Sequence, residues 1–109
     1  GGMGMAASGN IGDEQAFFEP VHGSAPKHAG KNKVNPIASI NSIQMMMDWL
    51  GRKSANDQMI QIGKLIDDSV ADHLKDGKNL TYDLGGDSSC SFVGESISSR
   101  LAEKLAEQF

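Results

Sequence analysis

Cysteine is almost missing: Cys90 stands alone in 109 residues. No disulfide can form within the chain, so its stability must come from packing. Long apolar runs are missing too. None approaches the ~18 residues of a membrane-spanning helix, which excludes one. Positive charge is in short supply, with 10 Lys+Arg against 14 Asp+Glu and a net charge of −4. That balance lacks the basic footprint of a nucleic-acid-binding surface. What remains is ordinary. Hydrophobic residues make up 39%, with 13 glycines besides, a globular composition rather than a collagen-like or wholly disordered one. The length allows one small domain at most.

The two ends differ in character. Val93, Ile97, Leu101, Leu105 and Phe109 recur at i, i+4 spacing. Ala102 and Ala106 widen that stripe, while Arg100, Glu103, Lys104 and Glu107 lie off it. The pattern predicts an amphipathic terminal helix. The other end opens Gly1-Gly2-Met3-Gly4-Met5-Ala6-Ala7, a glycine density suited to a turn or a close backbone approach. The chain is therefore expected to begin inside a larger protein; a cloning scar ahead of a complete small domain is the alternative.

Residues 1–15 read as loop or turn, ending in Asn10-Ile11-Gly12-Asp13-Glu14. Ala16 to Val21 reads as a short buried strand, with Pro20 near its end. Residues 22–36 form a loop, and Pro36 can open a helix. Ile37, Ile40, Ile43, Met47 and Leu50 mark one face of that helix. Ala38, Met45, Met46 and Trp49 broaden its apolar surface, and Gly51 is expected to close it. A second helix is expected from Asn56 or Asp57, with a stripe of Met59, Ile62, Ile66, Val70 and Leu74 and an end at Lys75 and Gly77. Leu80 to Leu84 reads as strand-like or extended, stopping at Gly85-Gly86. The sum is an α/β chain with three helices and two or three short strands, in a single segment. So small a sheet calls for strands from elsewhere.

Chemistry concentrates in His22-Gly23-Ser24-Ala25-Pro26-Lys27-His28-Ala29-Gly30, directly after the first predicted strand. Gly23, Ser24 and Ala25 are small enough to let a ligand approach backbone N–H groups, as phosphate cradles require. Lys27 offers a point charge for phosphate, and His22 and His28 offer rings that stack or donate. Asn35 carries the donor and acceptor that suit a purine edge. The plain alternative is a turn with a solvated lysine. Other candidates are weaker. Gly2 to Ala7 fits G-x-G-x-x-A, but no strand precedes it and no helix pattern follows. His22, His28 and His73 lack metal-site spacing. Cys90, between Ser88-Ser89 and Ser91, reads as a turn or helix-start residue. Met45-Met46-Met47 reads as core filler, and Asp67-Asp68 as a solvated helix face.

Glu19-Pro20-Val21-His22-Gly23-Ser24-Ala25-Pro26, then Ala29-Gly30-Lys31 and Asn35-Pro36, resembles the cofactor loop of the isocitrate and isopropylmalate dehydrogenase family. These are metal-dependent decarboxylating β-hydroxyacid dehydrogenases. The flanks agree: Gly1 to Ala6, Asn10 to Glu14, Met45 to Met47 and Thr81-Tyr82-Asp83-Leu84-Gly85-Gly86. The resemblance covers the whole chain in the family's order. It implies the C-terminal part of the large domain of a two-domain α/β fold, with the rest of the enzyme upstream.

The resemblance also implies roles. His22 would pack on the adenosine of the cofactor, and backbone at Gly23, Ser24 and Ala25 would follow the phosphates. Asn35, with Val34 beside it, would read the adenine edge, and Glu19 would lie toward the nicotinamide. Lys27, His28 and Tyr82 would meet the 2′-phosphate of NADP. NADP relatives often carry Arg at the position of Gly86, so Lys27 and Tyr82 favour NADP while Gly86 resembles NAD-type relatives. The implied cofactor is NADP, with NAD as the alternative.

Metal ligands for Mg or Mn, the catalytic lysine and tyrosine, and the arginines that grip substrate carboxylates would all lie upstream. This chain is expected to hold the adenosine side of the cofactor site and none of the catalytic groups. The implied activity of the whole enzyme is oxidative decarboxylation of isocitrate to 2-oxoglutarate. Isopropylmalate, homoisocitrate or tartrate-type activity, or a non-catalytic regulatory subunit, is the alternative. The family also implies a homodimer, in the cytoplasm or, in a eukaryote, the mitochondrial matrix.

Overall fold

A computed structural model describes residues 4–109. Gly1, Gly2 and Met3, with the start of the glycine-rich fingerprint, lie outside the described residues. Two strands, β1 (Ala7–Ile11) and β2 (Ala16–Pro20), pair antiparallel with Gly9 opposite Phe18 and Ile11 opposite Ala16. The expected loop at residues 7–11 is thus a strand. Ser8, Gly9 and Asn10 carry turn chemistry, yet pairing with β2 overrides it. Gly9 has a packing reason: a Cβ there would stand 2.9 Å from Cε1 of Phe18. The bare backbone leaves room for that ring, whose centroid lies 6.2 Å from that of Trp49.

β2 corrects the expected buried strand. Its side chains alternate, with Ala16, Phe18 and Pro20 half-buried and Phe17 and Glu19 exposed. Alternation of this kind marks a strand packed on one face only. A lone hairpin is marginal in water, and this one leans on the first helix through Phe18.

Helix α1 (Ile37–Lys53) starts directly after Pro36, where Oδ1 of Asn35 accepts the N–H of Ile37 at 2.9 Å. It does not end at Gly51. It runs on to Lys53, and Gly51 is buried within it because α2 (Asp57–Asp76) presses on that point. A Cβ on Gly51 would stand 2.6 Å from Cγ1 of Ile60 and 2.9 Å from its backbone N. Further along the pair, Gly63 of α2 faces the backbone of Gln44 and Asp48. The two glycines let the helices run closely side by side. Ile43 belongs to the predicted stripe of α1 but is exposed, and Ile37 and Ala38 lie deepest instead.

Both predicted ends of α2 hold. The side chain of Asn56 accepts the N–H of Met59 at 3.1 Å, and Gly77 closes the helix at φ 69°. These are the standard N-cap and left-handed C-cap solutions. Helix α3 (Cys90–Gln108) is capped by Ser89, whose Oγ accepts the N–H of Phe92, and Cys90 is its first residue. Asp76–Arg100 and Asp72–Lys104 ion pairs join α2 to α3 at 3.1 and 2.7 Å. Ile37, Val70, Val93 and Ile97 form the core where the three helices meet, with Met5, Ile40 and Leu74 packed against it.

Leu80 to Leu84 is the remaining correction. It forms a 3₁₀ turn at Tyr82–Leu84 rather than a strand. Asp83 accepts from Thr81 Oγ1 two residues before it, a local bond that favours turns over extended chain. Backbone bonds from Gly86 to Thr81 (3.0 Å) and from Ser88 to Leu80 (2.9 Å) then close the loop on itself. Among the described residues no helix is long and apolar enough to cross a membrane.

Candidate functional site

Between β2 and α1 the chain makes a loop whose shape is set by unusual backbone. Ala25 takes a left-handed conformation (φ 48°, ψ 61°), which costs a residue with a Cβ roughly 1–2 kcal/mol. A 3₁₀ turn, Pro26–His28, follows at once, with the N–H of His28 donating to the carbonyl of Ala25 at 2.9 Å. Gly30 (φ 76°) and Asn32 (φ 53°) reverse the chain again. Asn32 is also an anchor. Its Nδ2 donates to Oγ of Ser91, its Oδ1 accepts the N–H of Ser91, and its carbonyl accepts the N–H of Cys90. The loop is thereby fastened to the start of α3.

This loop and the 3₁₀ turn at Tyr82 enclose a cleft of about 390 Å³. His22, Gly23, Ser24 and Ala25 line one side, and Val34 and Asn35 line another. Tyr82 and Asp83 arrive from far along the chain, Asp83 being 48 positions from Asn35, and Gly4 closes the set. His28 joins at the rim, where its Nε2 lies 3.1 Å from the Tyr82 hydroxyl and the rings are 5.2 Å apart. Its Nδ1 is buried and has no hydrogen-bond partner. Besides His28, which reaches the cleft only through Tyr82, two of the expected residues do not line it. Glu19 is exposed on the outward face of β2, and Lys27 is exposed in the 3₁₀ turn beside it.

Hydrogen bonding fixes several of these groups. Nδ1 of His22 lies 2.8 Å from the carbonyl oxygen of Gly23. A carbonyl only accepts, so Nδ1 carries the proton. Asn35 is buried, and its amide is already engaged: Oδ1 accepts from Ile37, and Nδ2 donates to Oδ2 of Asp83 at 3.1 Å. The side chain expected from sequence to read a purine thus first serves α1 and the Asp83 turn.

Sequence reasoning missed Gly4, Asp83 and Lys33. A Cβ on Gly4 would stand 2.5 Å from Oδ2 of Asp83, so a side chain there would have to displace the carboxylate that Asn35 bonds. The signal for Asp83 was its place directly after Tyr82. Lys33 holds its Nζ 5.2 Å from the centroid of the Tyr82 ring, a cation–π contact.

Small-molecule sites run from roughly 300 to 1,000 Å³, so the cleft suits part of a dinucleotide rather than all of it. An open Gly23, with nothing within 4 Å of its Cβ position, leaves room for an adenosine moiety with phosphate beside it. Among the described residues no three His, Cys, Asp or Glu side chains gather to hold a metal ion.

Fold and cleft together define part of an α/β protein whose loops build a cleft of small-molecule size. Residues 1–97 match the family model described as isocitrate/isopropylmalate dehydrogenase, and the chain belongs to that family of decarboxylating dehydrogenases. It is 48% identical over 105 residues to the homoisocitrate dehydrogenase of Methanocaldococcus jannaschii, covering 96% of this chain and 28% of that one. It is 43% identical over 106 residues to a mitochondrial regulatory subunit of the NAD isocitrate dehydrogenase of Dictyostelium discoideum, again covering 96% of this chain and 28% of the relative. The crystal structure of a β-decarboxylating dehydrogenase from Thermococcus kodakarensis (apo form) superposes with a TM-score of 0.83 at 38% identity, over 98% of this chain and 30% of that one. The chain therefore spans less than a third of the length of these relatives.

Proposed function

We propose that this chain supplies the adenosine side of the cofactor site in an NAD(P)-dependent decarboxylating dehydrogenase, with NADP as cofactor and isocitrate as substrate. The observation that supports it is the cleft. Residues far apart in sequence, His22 to Ala25, Val34, Asn35 and Tyr82, converge on one cavity. When bound, the dinucleotide supplies the hydride acceptor of the reaction. The residues of this chain only bind and orient it. His22, with its proton held at Nδ1, offers a ring face for the adenine. Gly23, Ser24 and Ala25 expose backbone to the phosphates. Substrate, metal and proton-transfer groups belong to the remainder of a homodimeric enzyme.

Homoisocitrate is the second reading, favoured by the 48% identity to the Methanocaldococcus jannaschii relative. Turnover of the whole protein on isocitrate, homoisocitrate and isopropylmalate, each with Mg and either cofactor, separates the substrates. Binding is tested with Gly23→Val. The position has open space around it and no left-handed φ, so the fold tolerates the change. Affinity for both cofactors should fall while thermal stability holds. Undiminished binding of both would remove this cleft from the cofactor site. Cofactor binding without turnover on any substrate would favour a regulatory role.

A further inference from the structure

Lys33 has no part in the site as proposed above, yet the chain on both sides of it is pinned. Asn32 is fastened to Ser91 and Cys90 at the start of α3. Asn35 is fastened to Asp83, the residue after Tyr82. Between these anchors the Lys33 ammonium lies over the Tyr82 ring, while the Tyr82 hydroxyl meets His28 Nε2. Among the described residues, ion pairs engage Arg52, Lys64, Lys78, Arg100 and Lys104, and Lys33 has no carboxylate partner. The one acid in the cleft, Asp83, is already bonded through both oxygens, to Asn35 and Thr81. Position 86, in the turn after Tyr82, has no room for a side chain, because a Cβ there would stand 2.0 Å from the carbonyl oxygen of Leu80.

We infer that Lys33 is a specificity-determining residue that supplies positive charge to a phosphomonoester on the ribose of the bound adenosine, beside the Tyr82 hydroxyl and His28. A dianionic phosphate has three acceptor oxygens. The rim offers it an ammonium, a phenol and an imidazole from two separate loops. A bare ribose hydroxyl makes no comparable demand for charge, so Lys33 acts on the difference between two nucleotides rather than on both. This rests on the proposal that the cleft takes the adenosine end of the cofactor.

Titration of the whole protein with adenosine 2′,5′-bisphosphate and with 5′-AMP tests it, because the two differ by that phosphate alone. The wild type should bind the bisphosphate more tightly, with the preference shrinking as salt rises. Lys33→Met should weaken the bisphosphate by about tenfold, the order of one charge-assisted contact, and leave 5′-AMP unchanged. Lys33→Arg should retain the preference. Lys31→Met, on an exposed lysine outside the cleft, should change neither. Equal weakening of both ligands by Lys33→Met, or of neither, overturns the inference. A wild type that binds both ligands equally overturns it too, but leaves the adenosine cleft standing. Failure to bind 5′-AMP at all would remove the cleft reading itself.

Discussion

Gly86→Ala adds one methyl group, and its effect can be worked from the backbone around it. The new Cβ would stand 2.0 Å from the carbonyl oxygen of Leu80, 2.6 Å from its carbonyl carbon and 3.0 Å from its Cβ. The nearest two of these atoms are backbone, so no side-chain rotation relieves the clash. The 80–88 loop must move. Its movement threatens the bonds from Gly86 N–H to Thr81 and from Ser88 N–H to Leu80. Each is worth roughly 0.5–1.5 kcal/mol, and overpacking adds roughly 1–3 kcal/mol. The reduced entropy of the unfolded chain returns only about 0.4–1 kcal/mol. The net expectation is a destabilisation of about 1–5 kcal/mol, read as a lower urea midpoint of the whole protein at unchanged slope. Nucleotide affinity should fall with it, because the same loop holds Tyr82 against His28 and Asp83 against Asn35. Gly94→Ala is the control. Nothing lies within 4 Å of its Cβ position in α3, so the helix should gain about 0.5–1 kcal/mol. A Gly86→Ala protein within about 0.5 kcal/mol of wild type, with normal nucleotide binding, would refute the argument.

Gly51→Ala should cost about 1–3 kcal/mol by overpacking against Ile60 at the α1–α2 contact; a raised melting temperature would show that the helices separate freely there. Burial between α2 and α3 holds the His73 imidazole below its ordinary range, the Asn79 carbonyl opposing this in part. The folded state therefore disfavours the proton, so this contribution is complete above the unfolded value of about 6.5 and is lost as pH falls below it. Urea midpoints should drop from pH 8 to pH 5 less steeply in His73→Asn, and equal slopes would count against it. Lys27 is exposed beside the cleft rather than in its lining, so Lys27→Asp should lower kcat/KM with NADP by only about fivefold, the order of an exposed charge contact, while the NAD value holds or rises. Tyr82→Phe should act in the same direction but less. Equal losses with both cofactors after Lys27→Asp would mean that Lys27 does not meet the 2′-phosphate. Residues 1–109 alone should show no dehydrogenase turnover with metal and isocitrate, and robust turnover would place catalytic groups within them.

Sequence alone determined the parts governed by local free energy. Helix α2 runs from the Asn56 cap to Gly77 because capping and periodicity act within a few residues. The loop proposed to take the cofactor stood out in the sequence because His22 to His28 gathers its reactive and flexible residue types in one short stretch. Tertiary structure decided what local signals cannot encode. Residues 7–11 became a strand only by pairing with β2. Gly51, a stop signal in isolation, became a contact point inside a helix because Ile60 packs on it. Tyr82 meets His28 across 54 positions, and Asp83 meets Asn35 across 48. No periodicity or motif spans such separations. They are fixed by the core of Ile37, Val70, Val93 and Ile97, which holds α1 and α3, and the loops leading into them, in one arrangement.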